Sequence, residues 1–376
     1  MFIYVFHDSF SVLSAYSVGI IENYESCIWN VQLYGQSEFQ LITKATPEYL
    51  ELLKEGRLLA RDFDVSYGQL NNPNADNVMI IESVKMNYDY DKGWILTVSG
   101  KGLKSALSHR IVYPQIAMTD NWLNIFTKIF DDNFIFPSDD SRKMQFQIDS
   151  SSFDAFYPEP ITPLPTEDIQ LFGENVANWI ESVCKDNMIG WDMKLVNGFP
   201  TFYLFKGRIL DGSDPMIQPA PFVKFSPEND NLLTVEYSHT VASNVGLVGG
   251  EGEGTSKKTA WSGETSKDGY ARNEVYIDGS GVSSNGEIIT EATYLSMLKN
   301  YGQEQLGQLM KTGTFQGTVD PNVTYKLNQN YKLGDRVLID TEMGITASAY
   351  IIEIIYSIDE NGEVIVPTFS EWEVNE

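Results

Sequence analysis

Cysteine and histidine are scarce in this chain of 376 residues, which contains two of the former and three of the latter. Cys27 and Cys184 are too few for a disulfide scaffold or a four-thiolate zinc site, and we expect both to be buried free thiols. His7, His109 and His239 lie far apart in the sequence and share no motif, so we expect them to be structural or exposed. Neither residue type therefore predicts a catalytic or metal-binding centre.

Basic residues are also few, because 26 Lys and Arg stand against 52 Asp and Glu and leave a net charge of −26. A chain this acidic repels nucleic acid and anionic membranes, which bind proteins through basic patches. Two interpretations of the acidity stay open. It serves solubility, or it forms a surface to which DNA must not adhere.

Long hydrophobic runs are missing, and no uncharged apolar segment approaches the roughly 20 residues of a membrane span. Residues 1–8 lack the basic and apolar segments of a signal peptide. We therefore predict a soluble protein made in a cytoplasm. The chain length predicts two to four domains, and the 20 Tyr, 20 Phe and 7 Trp exclude wholesale disorder.

Catalytic and cofactor motifs are lacking as well: there is no Gly-x-Ser-x-Gly, His-Glu-x-x-His or cysteine–histidine signature. The glycine-rich residues 249–256 place Thr255 where a phosphate loop requires lysine, and Glu251 and Glu253 would repel a phosphate. Residues 278–281 resemble a calcium loop only superficially, because Val282 occupies a ligand position. We read both segments as loops without a ligand.

Adjacent acids occur at residues 131–132 and 139–140, and such pairs could support glycoside hydrolysis. In a chain with 52 acids, adjacent pairs arise by chance and form a solvated surface. The sequence therefore predicts no catalytic residue, no cofactor and no metal ligand, and we do not expect an enzyme.

What the chain does contain is a β-pattern that occurs near both ends. In each copy a Lys-x-Gly turn leads into a short apolar strand, a strand with Ile-Ile-Glu, a polar turn that ends in glycine, and a last strand. The segments are 54–56, 58–60, 80–84, Gly93 and 95–98 in the first copy, and 332–334, 337–339, 351–355, Gly362 and 364–366 in the second.

Two explanations of this pattern stay open. It records a duplication, or it reflects the turn chemistry that all tight hairpins share. A duplication predicts that residues 80–82 and 351–353 occupy equivalent strands of two superimposable barrels.

Local signals predict four regions along the chain. Residues 1–112 form a β-rich domain with a helix that begins at Thr46 and Pro47 and ends at Gly56. Residues 113–225 form an α/β domain with a helix from 120–122, a loop-like segment at 137–172, a helix over 173–188 and a hairpin around 197–198. Residues 226–248 and 315–376 form a second β-domain, and 249–314 insert loops, a strand at 273–278 and a helix from 290 to about 311.

A series of short motifs follows in order along nearly the whole chain. They occupy residues 24–29, 78–82, 96–100, 110–113, 173–176, 225–232, 249–254 and 331–335. Together they resemble a family of tail-tip hub proteins from long-tailed phages of Gram-positive hosts, the N-terminal structural part of tail-associated lysins. This family is similar in fold to the baseplate hubs of contractile tails.

The resemblance implies a β-rich α+β fold with two related β-barrel hub domains, an α/β domain and a loop and helix insertion. It implies a homotrimer at the tail tip of a virion, made in the host cytoplasm, whose ring closes the tail tube. The implied partners are the distal tail protein ring, the tape measure protein and a fibre or receptor-binding protein. DNA would pass through the lumen without specific binding.

Family members often continue into peptidoglycan hydrolase or receptor-binding modules, whereas this chain stops at Glu376. We therefore expect a separate protein to supply any such activity. A carbohydrate-binding adhesin and a cell-wall hydrolase stay open as alternative functions.

Overall fold

The computed structural model describes residues 1–7, 16–67, 73–157, 164–214, 219, 221–239, 243–282, 290–309, 313–319, 324–341, 343, 346–370 and 373–374. The chain divides into two compact units, Met1–Val235 with Gln316–Glu376 and Glu236–Phe315. Strand makes up 44% of the structure and helix 24%, which confirms the predicted β-rich class.

The described N-terminal part of the first unit is mainly β-structure, with one short α-helix and a 3-10 turn at Asp62–Asp64. Helix α1 begins as predicted, because the Thr46 Oγ1 accepts the Tyr49 N–H at 3.1 Å and Pro47 takes the first helical position. It ends at Leu52, four residues before Gly56. The elements are β1 (Ile3–Phe6), β2 (Ser17–Ile21), β3 (Ser26–Gln32), β4 (Glu38–Lys44), α1 (Pro47–Leu52), β5 (Leu58–Arg61), β6 (Val65–Tyr67), β7 (Pro73–Ala75), β8 (Met79–Asp89) and β9 (Gly93–Gly102).

The middle of the chain carries two helices, each capped by an asparagine whose side chain accepts a backbone N–H of the first turn. The caps are Asn121 and Asn175, so both helices begin near their predicted positions. The hairpin around residues 197–198 is confirmed. The elements are β10 (Ile116–Asp120), α2 (Trp122–Phe130), β11 (Gln147–Ile148), β12 (Glu167–Leu171), α3 (Val176–Asp186), β13 (Gly190–Val196) and β14 (Phe199–Phe205).

The prediction of a loop over residues 137–172 is wrong at its end, where β12 pairs antiparallel with β10. The pairing partner lies about fifty positions earlier in the chain, so local composition gave no sign of it.

The C-terminal part returns to the first unit after the second unit has been completed. Strand β16 carries the chain into the second unit and strand β20 carries it back. The elements are β15 (Lys224–Phe225), β16 (Leu232–His239), β17 (Val245–Gly249), β18 (Thr259–Gly263), β19 (Glu274–Asp278), α4 (Glu291–Leu309), β20 (Gly313–Val319), β21 (Arg336–Asp340), β22 (Thr346–Asp359), β23 (Gly362–Phe369) and β24 (Glu373–Val374).

One sheet of 14 strands joins both ends of the chain. Its main path runs β16-β20-β23-β22-β3-β4-β9-β8-β5-β1-β2, with β21, β15 and β24 attached beside β22. Among the described strands this sheet is open, with β16 and β2 as its terminal members. The strand pairing therefore does not separate two barrels as predicted. It joins the two copies of the β-pattern in one sheet through β22 and β3.

The main core of the first unit lies in its middle part, where helices α2 and α3 contact the sheet of β13 and β14. An aromatic cluster fills it, with ring centroids 4.9–6.3 Å apart, and it includes Phe126, Phe130, Phe134, Phe146, Phe153 and Phe202. Burial of large apolar side chains is the main source of stability for such a core.

The second unit has its own small core. Its sheet has the order β18-β17-β19, and Val248 and Ile277 pack against Tyr294, Leu298 and Leu306 of α4. Within the described part of the chain, no helix combines the length and the apolar character needed to cross a membrane.

Candidate assembly site

The two copies of the β-pattern begin with the same turn. In the first copy the Gly56 N–H donates to the Ile81 carbonyl oxygen at 2.8 Å, and in the second the Gly334 N–H donates to the Ile351 carbonyl oxygen at 2.8 Å. Both glycines have left-handed backbone, with φ of 81° and 88°, which glycine adopts without strain. The turns are therefore equivalent in sequence, conformation and pairing.

Each turn leads into a hairpin with a bulge at the same place. In β8 the register with β9 shifts between Ile81 and Ser83, and in β22 the register with β23 shifts between Ile351 and Glu353. A bulge inserts one extra residue into a strand and increases its local twist. Eight residues after Ile81 or Ile351, an aspartate closes both hairpins by accepting the N–H of the residue two positions later.

The neighbouring strands extend the correspondence to five strands on each side. We call β5, β8, β9, β4 and β3 the first module, and β21, β22, β23, β20 and β16 the second module. Within each module the strands are neighbours in that order. Turn chemistry alone does not reproduce this pairing order, so the structure favours duplication over coincidence.

The residue-by-residue match differs from the one that the Ile-Ile-Glu motif predicts. Pairing sets Ile81 against Ile351, so residues 80–82 correspond to residues 350–352 rather than 351–353. Ile81 and Ile351 are both buried, as the alternation of faces requires. The strands are equivalent, but the motif that revealed them is shifted by one residue.

The two modules meet at a seam between β22 and β3. The two strands pair antiparallel, with Glu353 opposite Gln32 at one end and Ile358 opposite Cys27 at the other. Tyr356 lies opposite Trp29 in this seam, and its ring also contacts Phe63, with centroids 5.7 Å apart, and the Arg61 guanidinium at 5.3 Å. Only 5% of Tyr356 is exposed, so the face of the seam on which Tyr356 lies is buried.

A carboxylate fastens the seam from its polar side. Glu353 Oε1 accepts the side-chain amides of Asn30 at 2.8 Å and Gln32 at 3.1 Å, and its Oε2 accepts the Thr368 hydroxyl at 2.8 Å. Hydrogen bonds to an ionised group are stronger than those between neutral groups. This seam is therefore specified by side chains as well as by backbone pairing.

The three histidines belong to different elements of the chain. His7 stacks on Tyr16 with ring centroids 5.1 Å apart, and His239 ends strand β16. His109 ends a 3-10 helix beside a shallow cavity of about 300 Å³ that Arg110 and Arg142 also line. In the described ranges, no three His, Cys, Asp or Glu side chains form a group that could hold a metal ion.

The loops that resembled ligand sites are held by their own hydrogen bonds. The Glu251 N–H donates to the Tyr294 hydroxyl at 2.9 Å, which ties the glycine-rich loop to α4. The Asp278 Oδ1 accepts the Ser280 N–H at 2.9 Å, so that carboxylate caps its own turn. Both contacts give these residues local structural roles.

The adjacent acids also have local partners. Asp132 forms an ion pair with Lys128 at 2.9 Å, one helical turn away. Burial and the neighbouring Asp132 raise the pKa of Asp131, while Lys128 lowers it. A hydrogen bond from the Ser141 side chain lowers the pKa of Asp139, and so does the Ser141 N–H, which Asp139 accepts at 2.9 Å. These contacts give the carboxylates structural roles in helix and turn geometry.

Both cysteines are fully buried free thiols, as predicted. Burial raises the pKa of Cys27 to about 12, although the charge of Arg61 acts in the opposite direction. A thiol with a raised pKa is a weak nucleophile at neutral pH. Cys27 is therefore a core residue beneath the seam.

Sequence reasoning missed the buried charge of Lys104. Lys104 is fully buried, and its Nζ donates to the carbonyl oxygens of Gln32 at 2.7 Å and Trp191 at 3.1 Å. Burial lowers its pKa, and the charge of the nearby buried Asp192 partly offsets this effect. The only signal in the sequence was the apolar neighbourhood of residues 103–107.

Solved structures that this chain resembles in fold include three tail proteins. A 43 kDa tail protein of prophage MuSo2 from Shewanella oneidensis is 12% identical, with a TM-score of 0.58 over 99% of this chain and 98% of that one. A tail protein from Neisseria meningitidis MC58 is 11% identical, with a TM-score of 0.55 over 98% and 96% of the two chains. Prophage tail protein gp18 from Listeria monocytogenes EGD-e is 11% identical, with a TM-score of 0.52 over 99% and 95%.

No curated protein matches the sequence. A family model does, and its match extends over residues 13–369. The resemblance to siphophage tail proteins that the motif series indicated is thus confirmed. By this match and by its fold, the chain belongs to the family of Siphovirus ReqiPepy6 Gp37-like proteins.

Proposed function

We propose that this protein is a structural tail-tip or baseplate hub of a phage virion, in which three chains form a ring that closes the tail tube. The ring connects the tube to fibre or receptor-binding components and lets DNA pass during ejection. The siphovirus family and the fold shared with prophage tail proteins support a structural role in a tail.

The observation that carries the proposal is the duplication within one chain. Two modules with the same pairing order lie side by side through the seam of β22 and β3. Three such chains supply six similar modules, which suit a tube of sixfold symmetry while keeping threefold symmetry for a fibre. In this proposal the two modules form the main part of the hub domains 1–112 and 226–248 with 315–376, which are joined by the α/β domain 113–225 and carry the insertion 249–314.

The charge of the chain fits a conduit for DNA. Three chains of net charge −26 form a strongly acidic ring. A negative wall repels the phosphate backbone, so DNA slides past it rather than adsorbing. We propose the distal tail protein ring and the tape measure protein as partners on the tube side.

We also propose that the protein acts without enzymatic activity. The adjacent acids take part in helix and turn contacts, and the glycine-rich loop is tied to α4. A carbohydrate-binding adhesin or a cell-wall hydrolase has no specific observation in its favour.

The proposal is tested by two measurements on the full chain. Sedimentation velocity of the purified protein is expected to show a trimer, and immunogold labelling of purified virions is expected to mark the tail tip. A protein that stays monomeric at high concentration and is absent from virions by mass spectrometry contradicts the proposal.

A further inference from the structure

The edge of β22 that β3 covers has a counterpart in the first module. Because Ile81 matches Ile351, residues 353–358 of β22 correspond to residues 83–88 of β8. In β22 this stretch has β23 on one side and β3 on the other. The chain itself therefore demonstrates what packs against this edge: a strand in the position of β3.

In β8 the corresponding edge is open as far as the chain is described. Strand β9 pairs along one side of it, and on the other side β5 reaches only Met79 and Ile80 among the described strands. Beyond the bulge Met86 is 47% exposed and Tyr88 is 61% exposed, whereas Tyr356, the counterpart of Met86, is 5% exposed. An open edge with apolar side chains is a template for another strand.

Among the described strands, the matching strand also has a neighbour on one side only. Strand β16 takes the place of β3 in the second module, and it ends the path of the large sheet. Its Leu233 is 60% exposed. The exposed Lys85 on β8 and the exposed Glu236 on β16 carry opposite charges. Each chain therefore presents one edge of each kind.

We propose that residues 83–88 of β8 pair antiparallel with β16 of a second copy of this chain and repeat the seam of β22 and β3. An interface between two different surfaces of the same chain is head-to-tail, and it closes into a ring when the rotation permits. This inference rests on the proposed ring and names the strands that join its chains.

The test uses full-length variants at exposed positions, so that folding is preserved. M86K/Y88K places two charges on the open edge of β8, and L233K places one on β16. Y270K/M343K is the matched control, because Tyr270 is 97% exposed and Met343 is 84% exposed. Circular dichroism verifies that all variants fold as the unchanged protein does.

Mass photometry then reads the assembly state. The unchanged protein and Y270K/M343K are expected to be trimers, while M86K/Y88K and L233K are each expected to lose the trimer. An equimolar mixture of these two variants is expected to form a one-to-one dimer and no trimer, since each retains the edge that the other lacks.

The outcomes separate this inference from the proposed function. A trimer of M86K/Y88K, or a mixture that stays monomeric, overturns the strand pairing and leaves the ring in place. An unchanged protein that is monomeric in solution and in cross-linked virions overturns the ring, and this inference with it.

Discussion

Lys104 connects strand β3 of the first module to strand β13 in the middle part of the same unit. Its Nζ donates one hydrogen bond to Gln32, the last residue of β3, and another to Trp191 of β13. A buried ammonium is stable only when its donors are satisfied, because its transfer from water is costly. Removing the charge leaves two buried carbonyl groups and Asp192 without this partner.

We expect K104M to lower the free energy of unfolding by about 3 kcal/mol, since a buried polar group loses its partner. Urea denaturation followed by fluorescence measures the change. K101M is the control, because Lys101 is exposed on the neighbouring strand. Equal stability of the two variants contradicts the role given to Lys104.

Asp192 predicts a dependence of stability on pH. Burial raises its pKa to about 6, against the effects of Lys104 and of the Met193 N–H. The unfolded chain releases this proton at about pH 4, so the folded chain binds more protons between about pH 4 and 6 and its stability falls as pH rises. The free energy of unfolding of D192N, relative to that of the unchanged protein, should therefore rise by about 2 kcal/mol between about pH 4 and 6 and then stay constant at higher pH.

Urea denaturation at four pH values from 4 to 7 tests this expectation. D154N, at an exposed position, is the control for a lost carboxylate. A difference between D192N and the unchanged protein that does not vary with pH rules out Asp192 as the titrating group.

At the scale of elements, the bulge of β8 depends on a glycine in the strand beside it. A Cβ atom at Gly100 would overlap the Ile80 carbonyl oxygen and lie 2.8 Å from the Glu82 nitrogen. Backbone atoms cannot move aside as a flexible side chain does. The close approach of the two strands at the bulge therefore requires glycine at this position.

We expect G100A to lower the free energy of unfolding by about 2 kcal/mol through overpacking. Thermal unfolding by differential scanning calorimetry measures it. G281A is the control, since a Cβ atom there meets no atom within 4 Å. A midpoint for G100A equal to that of G281A is the result that contradicts this account.

Local signals predicted the elements that depend on local contacts. The cap of α1, the starts of α2 and α3 and the hairpin of β13 and β14 need only neighbouring residues, and they appear at or within a few residues of their predicted positions. The pairing of β12 with β10 and of β22 with β3 depends on residues far apart, so it left no local trace.

The β-pattern at both ends of the chain was visible in the sequence, but the residue-by-residue alignment of its two copies was not. Ile80 to Glu82 and Ile351 to Glu353 match as letters, while the bulges set Ile81 against Ile351. A bulge changes the pairing without a fixed sequence signature. The burial of Lys104 was hidden for another reason, because lysine is almost never fully buried unless it is paired.

At the scale of the whole molecule, charge opposes the assembly of the proposed ring. Chains of net charge −26 repel one another, and salt screens this repulsion. Raising sodium chloride from about 0.1 M to about 1 M shortens the screening length from about 10 Å to about 3 Å, so we expect the trimer to tighten. Sedimentation velocity across this range measures the change.

Sodium chloride is the appropriate salt, because sulfate would strengthen apolar contacts as well. A trimer that dissociates as salt rises indicates that ion pairs between chains dominate the interface, against this expectation.

The hydrogen bonds of Glu353 make some interfaces of the proposed ring stronger than others. Glu353 is fastened by Asn30, Gln32 and Thr368 inside each chain, whereas its counterpart on the open edge of β8 is Ser83, a short hydroxyl. The ring would then have six interfaces between modules. Three lie within chains and are strengthened by Glu353 and by the covalent backbone, and they would alternate with three between chains that lack both. Under tension the proposed ring would separate at the three interfaces between chains. The seam within each chain would stay intact.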